Sequence, residues 1–170
     1  MRALTSLALM TAAGVMLGAA PVAGQEGTTS TGFQPYLFAA PGGISSGGTT
    51  LHVGGGVDLV LWKGLGASVE GGYVGPMEAM DYGLGIISAN AFYQFRTPKR
   101  RRITPFVTGG YTLGFRSESV NAMNIGAGAN YWLSDTLGLR FELRDHLPVI
   151  DGGVRDDHLW GLRIGFTWRR

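Results

Sequence analysis

The sequence predicts an all-β fold, a transmembrane up-and-down antiparallel β-barrel of eight strands. Three observations carry that expectation. Apolar residues alternate with small or polar ones at the period of a strand through most of the chain. Glycine is abundant, at 29 of 170 residues, whereas charged residues make up only 15%, against roughly 25% in an ordinary soluble domain. Beyond the N-terminus no segment approaches the roughly 18 consecutive apolar residues of a membrane helix, so a membrane-embedded structure there has to be built from strands. The absence of Cys excludes a disulfide framework, a thiolate metal site and cysteine catalysis.

The N-terminus carries a different pattern. Met1-Arg2 is a short positive start, Leu4 to Ala20 is apolar apart from Thr5, Ser6 and Thr11, and Ala19-Ala20-Pro21-Val22-Ala23-Gly24 supplies small residues. This is the three-part pattern of a secretory signal peptide over 1–24. Cleavage is expected after Gly24, with Ala23 and Ala20 as neighbouring cuts. A short periplasmic segment over 25–33 and a barrel over 34–170 remain. A membrane helix is the competing reading, but the run is short for a span of about 20 residues and contains Gly14 and Gly18.

The last strand is the clearest. Trp160, Leu162, Ile164, Phe166 and Trp168 form one face, and Gly161, Arg163, Gly165 and Thr167 the other. Leu137, Leu139, Phe141 and Leu143 alternate in the same way with Gly138, Arg140, Glu142 and Arg144. Read as a helix, that segment would put Arg140 and Arg144 on one stripe with Leu137 and Phe141. Earlier strands follow the same rule near 123–131, 106–115, 87–95, 65–73 and 51–61. The first, near Gln34–Ala40, is the weakest, because Pro35 cannot donate to a ladder and suits a strand's start or an edge. Tight links at Trp62-Lys63-Gly64 and Ser134-Asp135-Thr136, and a longer one over 96–102, are expected at one end. Looser links over 41–50, 75–81, 116–122 and 145–157 are expected at the other.

Which face points inward decides the class. In a soluble barrel the water-facing set would be Gly, Ser, Thr and Asn with few charges, a poorly solvated surface. Inverted, the apolar and aromatic faces meet lipid, and glycine faces a lumen with room for little beyond side chains. No charge falls on the apolar face of the seven clear strands, as expected where a lipid-exposed Arg costs about 2–4 kcal/mol. Tyr36, Trp62, Tyr73, Tyr93, Phe95, Tyr131, Trp160 and Trp168 lie toward strand ends, the place of aromatic girdles.

Three segments carry a family likeness: Thr104-Pro105-Phe106-Val107-Thr108-Gly109-Gly110-Tyr111, Asn124-Ile125-Gly126-Ala127-Gly128-Ala129-Asn130-Tyr131-Trp132-Leu133-Ser134-Asp135, and Leu137-Gly138-Leu139-Arg140-Phe141-Glu142-Leu143-Arg144-Asp145. They resemble the outer-membrane β-barrel domain family, the small eight-stranded barrels similar to the OmpA membrane domain and OmpX. The resemblance implies an outer-membrane location in a Gram-negative-type cell and Arg/Glu pairs in the lumen. It also implies a C-terminal aromatic signal read by the assembly machinery, here Phe166 and Trp168. Where that family ends on the aromatic residue, this chain continues with Arg169-Arg170.

Charge sorts by location. The lumen receives Asp58, Glu70 and Glu142 against Arg140, Arg144 and Arg163, an even balance. The tight-link end holds eight cations, among them the run Lys99-Arg100-Arg101-Arg102, against Asp135 alone. The opposite end is acidic. In a cytosolic protein the basic run would read as a nucleic-acid patch; between two membrane strands it is a solvated periplasmic turn, suited to anionic headgroups. Luminal ions have to be paired, because an uncompensated buried charge costs several kcal/mol, so the six are expected to plug the barrel. A gate whose pairs exchange partners to pass ions is the alternative.

No catalytic residue is assigned. Asp145-His146 and Asp156-Asp157-His158 each place a carboxylate beside an imidazole, but neither His has a Ser near it in the sequence. Both are read as loop residues, and the loop aspartates match no EF-hand spacing. The expectation is a monomeric, non-enzymatic barrel without cofactor or metal. Its partners would be membrane lipids, periplasmic chaperones and the barrel-assembly machinery, with no nucleic acid. Its role would be structural or surface-interactive, in envelope integrity or adhesion, with the narrow gated pore as the alternative and a lipid-modifying outer-membrane enzyme as the third reading.

Overall fold

The structure, a computed structural model, describes residues 32–97, 102–116, 119–150, 153–154 and 157–169. Eight long strands dominate: β1 (Gly32–Ile44), β2 (Thr49–Trp62), β3 (Leu65–Pro76), β4 (Leu84–Gln94), β5 (Ile103–Phe115), β6 (Ser119–Trp132), β7 (Leu137–Ile150) and β8 (Leu159–Trp168). Each pairs antiparallel with the next, and β1 pairs with β8, so the sheet closes. A two-residue strand, Gly153–Val154, pairs only with the end of β7. The signal-peptide segment and Lys99, Arg100 and Arg101 lie outside the described residues.

The alternation read from the sequence holds. Leu37, Val69, Ile125, Leu143, Ile164 and Phe166 point outward and are exposed, while Asp58, Ser68, Glu70, Asn124 and Arg163 point inward and are buried. The molecule therefore has a polar interior and an apolar belt. Luminal glycines make room for rings. A Cβ on Gly56 would lie 2.7 Å from the Tyr36 hydroxyl, and one on Gly128 would lie 2.7 Å from the Phe106 ring.

At the β2–β3 turn Lys63 has φ 50° and Gly64 φ 93°, the double positive-φ signature of a type I′ hairpin. Register slips between Val60 and Trp62. The extra residue, Leu61, turns Trp62 from the inward to the outward face, where it is 65% exposed.

Four expectations need correction. β1 begins at Gly32, not Gln34, and runs through both Pro35 and Pro41. Ser45 donates its N–H to the His158 carbonyl at 2.9 Å, so odd-numbered β1 residues aim their N–H at β8, and both prolines are odd. Pro41 leaves a two-residue gap in that ladder, and Pro35 lies beyond its last rung, Tyr36↔Thr167. Second, three of the four links at the end away from the termini are shorter than expected, because strand pairing continues through polar sequence, whereas the β3–β4 link, 77–83, keeps the expected length. The β5–β6 link is the three residues 116–118, so short and long links do not strictly alternate. Third, Tyr36 is not a girdle residue; it is buried in the lumen. Fourth, His146 is not in a loop, since β7 continues past it and turns it inward.

Candidate functional site

The lumen is where the chain concentrates its chemistry. β7 supplies Arg140, Glu142 and Arg144 on one face at the strand's two-residue repeat, β8 supplies Arg163, β2 supplies Asp58 and β3 supplies Glu70. Glu142 and Arg163 are direct cross-strand partners, whereas Glu70 reaches them from across the barrel. All six residues expected in the network come together, and each is almost wholly buried.

The pairing is dense. Arg140 Nη1 lies 2.7 Å from Asp58 Oδ2, and its Nη2 lies 3.1 Å from Glu142 Oε2. Arg144 Nε donates to Glu142 Oε1. Arg163 Nη1 lies 2.6 Å from Glu70 Oε2 and 3.9 Å from Glu142 Oε1, and Arg144 Nη1 lies 3.5 Å from that same Glu70 oxygen. Three anions thus neutralise three cations in a continuous chain.

Aromatic side chains complete it. Tyr36 donates its hydroxyl to Glu70 Oε2 at 2.8 Å. The Arg140 guanidinium stacks between Tyr36 and Phe106, at 4.3 and 4.2 Å from their ring centres, and Arg163 stacks on Phe38 at 4.2 Å. A charge held on aromatic faces keeps favourable electrostatics after water is stripped from it. Inward alternation already marked Phe106; Tyr36 was hidden by doubt about β1.

Two histidines extend the network toward the acidic end. Arg163 Nη2 lies 3.4 Å from His52 Nδ1 and 3.4 Å from His146 Nε2. Arginine only donates, so both of those ring nitrogens accept, and His146 Nδ1 then donates to Thr112 Oγ1 at 3.2 Å. Thr112 also accepts from Asn124 Nδ2 at 3.0 Å and sits 2.8 Å from Ser88 Oγ. Beside this cluster a recess of about 10 Å³, lined by Thr50, His52, Arg144, His146, Trp160 and Arg163, has room for about one water. At the opposite end Gln94 Nε2 donates to Gln34 Oε1 at 3.0 Å, and Trp132 Nε1 to Thr104 Oγ1 at 3.1 Å.

Outside the lumen, Arg102 is exposed at the tight-link end, with Lys63 stacked 4.3 Å above Trp62 and Arg169 stacked 4.0 Å above Trp132. Phe166 and Trp168 point outward at the end of β8. His158 lies outside the lumen, with its Nδ1 2.9 Å from Asp145 Oδ2. Among the described residues no three His, Asp or Glu side chains form a metal-binding group.

No family model matches the sequence, and no curated protein matches it. Solved structures do. The N-terminal β-barrel domain of Pseudomonas aeruginosa OprF superimposes with a TM-score of 0.65 at 16% identity, covering 83% of this chain and 98% of that one. Neisserial surface protein A gives a TM-score of 0.60 at 14% identity over 81% of this chain and 96% of its own. The outer membrane enzyme PagL gives 0.53 at 18% identity over 78% of this chain and 97% of its own. The fold is that of the transmembrane eight-stranded barrels.

Proposed function

We propose that the protein is a monomeric outer-membrane barrel with a sealed lumen, acting in envelope integrity or as a surface adhesin rather than as a conduit. The observation that carries this is the luminal chain of three anions and three cations, with its guanidinium groups stacked on Tyr36, Phe38 and Phe106. A hydrated ion needs a continuous wet path, which ion-paired guanidinium groups stacked on these rings would interrupt. Lys63, Arg102 and Arg169, with the run completed by Lys99, Arg100 and Arg101, would face the periplasm and the anionic headgroups of the inner leaflet. Exported through a cleaved signal peptide, the chain would be escorted by periplasmic chaperones and inserted by the assembly machinery, which would read Phe166 and Trp168 at the end of β8.

One observation favours a second reading, a narrow gated pore. Arg163 Nη1 sits between two carboxylates, at 2.6 Å from Glu70 and 3.9 Å from Glu142, so partner exchange needs only a small movement. Single-channel recording on the chain refolded in planar bilayers separates the two. A silent trace for both the wild type and Glu142→Ala supports the sealed barrel. Discrete wild-type openings that Glu142→Ala alters would replace it with the gate.

A further inference from the structure

Closure of the sheet brings together three residues far apart in sequence. Ile44↔Leu159 is the last rung of the β1–β8 ladder, and the Ser45 N–H extends it by donating to the His158 carbonyl at 2.9 Å. Ser45 and His158 are therefore cross-strand neighbours with side chains on the same, outward face. On the other side of His158, Asp145 Oδ2 of β7 lies 2.9 Å from Nδ1, and the second carboxylate oxygen is buried without a protein partner. The Asp145 carboxylate thus contacts the His158 imidazole, and the Ser45 hydroxyl, which touches the His158 backbone carbonyl rather than its ring, lies next to it on β1.

The chemistry of that order is specific. A carboxylate on Nδ1 holds the proton there and leaves the Nε2 lone pair exposed as a base. The Ser45 hydroxyl donates to the His158 carbonyl at 3.4 Å, a weak bond that one χ1 rotation releases. The turn after Ser45 engages the N–H groups of Ile44, Ser45 and Gly47 and not that of Ser46, so the amide following the hydroxyl is available to an oxyanion. Two residues along β8 on the same face, Trp160 is half exposed and lies over Gly43, whose added Cβ would meet the ring at 3.4 Å. That ring is a flat apolar shelf below Ser45, at the girdle level where lipid ester groups lie.

We propose that Ser45 and His158 form an esterase site on the outer wall of the barrel, with Asp145 positioning the imidazole, acting on the acyl esters of membrane lipids. Ser45 Oγ attacks the ester carbonyl carbon while His158 Nε2 takes the hydroxyl proton. The tetrahedral adduct expels the lipid alkoxide, which leaves as an alcohol with that proton. Water, deprotonated by the same nitrogen, then hydrolyses the acyl-serine to a free fatty acid and restores Ser45.

The test uses the full chain refolded in micelles, with folding checked by heat-modifiable gel migration. A fluorophosphonate probe should label Ser45 in the folded protein, with labelling lost in Ser45→Ala and in the heat-unfolded chain and at least about tenfold slower in His158→Gln. Fatty acid release is measured from a short-chain phosphatidylcholine and, separately, from an acylated glucosamine lipid, which distinguishes the two sources of the ester. Release from either that Ser45→Ala abolishes and Ser134→Ala leaves intact supports the site. Asp145→Asn should lower kcat with KM unchanged and alter the pH profile, as expected of a positioning residue. A folded wild type that neither labels at Ser45 nor releases fatty acid above the Ser45→Ala background overturns the proposal and leaves the three residues as a rim contact.

Discussion

A single luminal carboxylate holds more than one cation in place. Glu142 receives Arg140 and Arg144 at once, with Arg163 at 3.9 Å, so Glu142→Gln leaves buried positive charge uncompensated. Breaking a buried ion pair from one side costs about 3–5 kcal/mol, and urea unfolding of the refolded barrel should report a loss of that size. Steric demand at the glycines is equally local. Gly56→Val drives a branched side chain into Tyr36 and the Val69 carbonyl, whereas a Cβ on Gly71 meets nothing within 4 Å. Heat-modifiable migration should vanish for Gly56→Val and persist for Gly71→Val. Equal behaviour of the two would mean that the lumen is not packed around Tyr36.

Strands and turns differ in how openly the sequence announces them. β7 and β8 are legible because nearly every second residue is apolar and each residue between is small or charged; four of the six luminal ions, Arg140, Glu142, Arg144 and Arg163, follow from that parity, and Asp58 and Glu70 from the same alternation in β2 and β3. β1 is not, because its proline signal is local, while what makes Pro35 and Pro41 tolerable is the position of β8. His146 and Tyr36 were misplaced for the same reason: a strand's end is set by pairing with a neighbour, not by the hydropathy of its own residues. The pairing of Ser45 with His158 spans 113 positions and exists only once the barrel closes. The type I′ hairpin is the opposite case, with its requirement written in two residues. Gly64 at φ 93° predicts a stability order of Gly above Asn above Ala at position 64. Gly64→Ala should cost about 1–2 kcal/mol for a left-handed residue with a Cβ, and Gly64→Asn less, both read from denaturant midpoints.

At the scale of the whole molecule, orientation is the quantity to test, because the same eight strands with their faces exchanged would be a soluble barrel. The outward belt is apolar, and the charge on it within β7, Asp145, sits opposite Trp160 on the neighbouring strand, at the girdle rather than among the aliphatic residues. Depth along the belt should then govern the cost of an added charge. Val69 is 62% exposed and flanked by Val57 and Ala89 on the adjoining strands, so Val69→Arg forces a guanidinium against hydrocarbon. Ile103 lies at the first rung of β5 opposite Tyr131, where an arginine reaches the headgroups. In lipid bilayers Val69→Arg should destabilise by about 2–4 kcal/mol and Ile103→Arg by about 0–1 kcal/mol, measured by reversible unfolding in vesicles. A water-bathed outer wall would make both substitutions nearly free, so equal and negligible costs would invert the barrel.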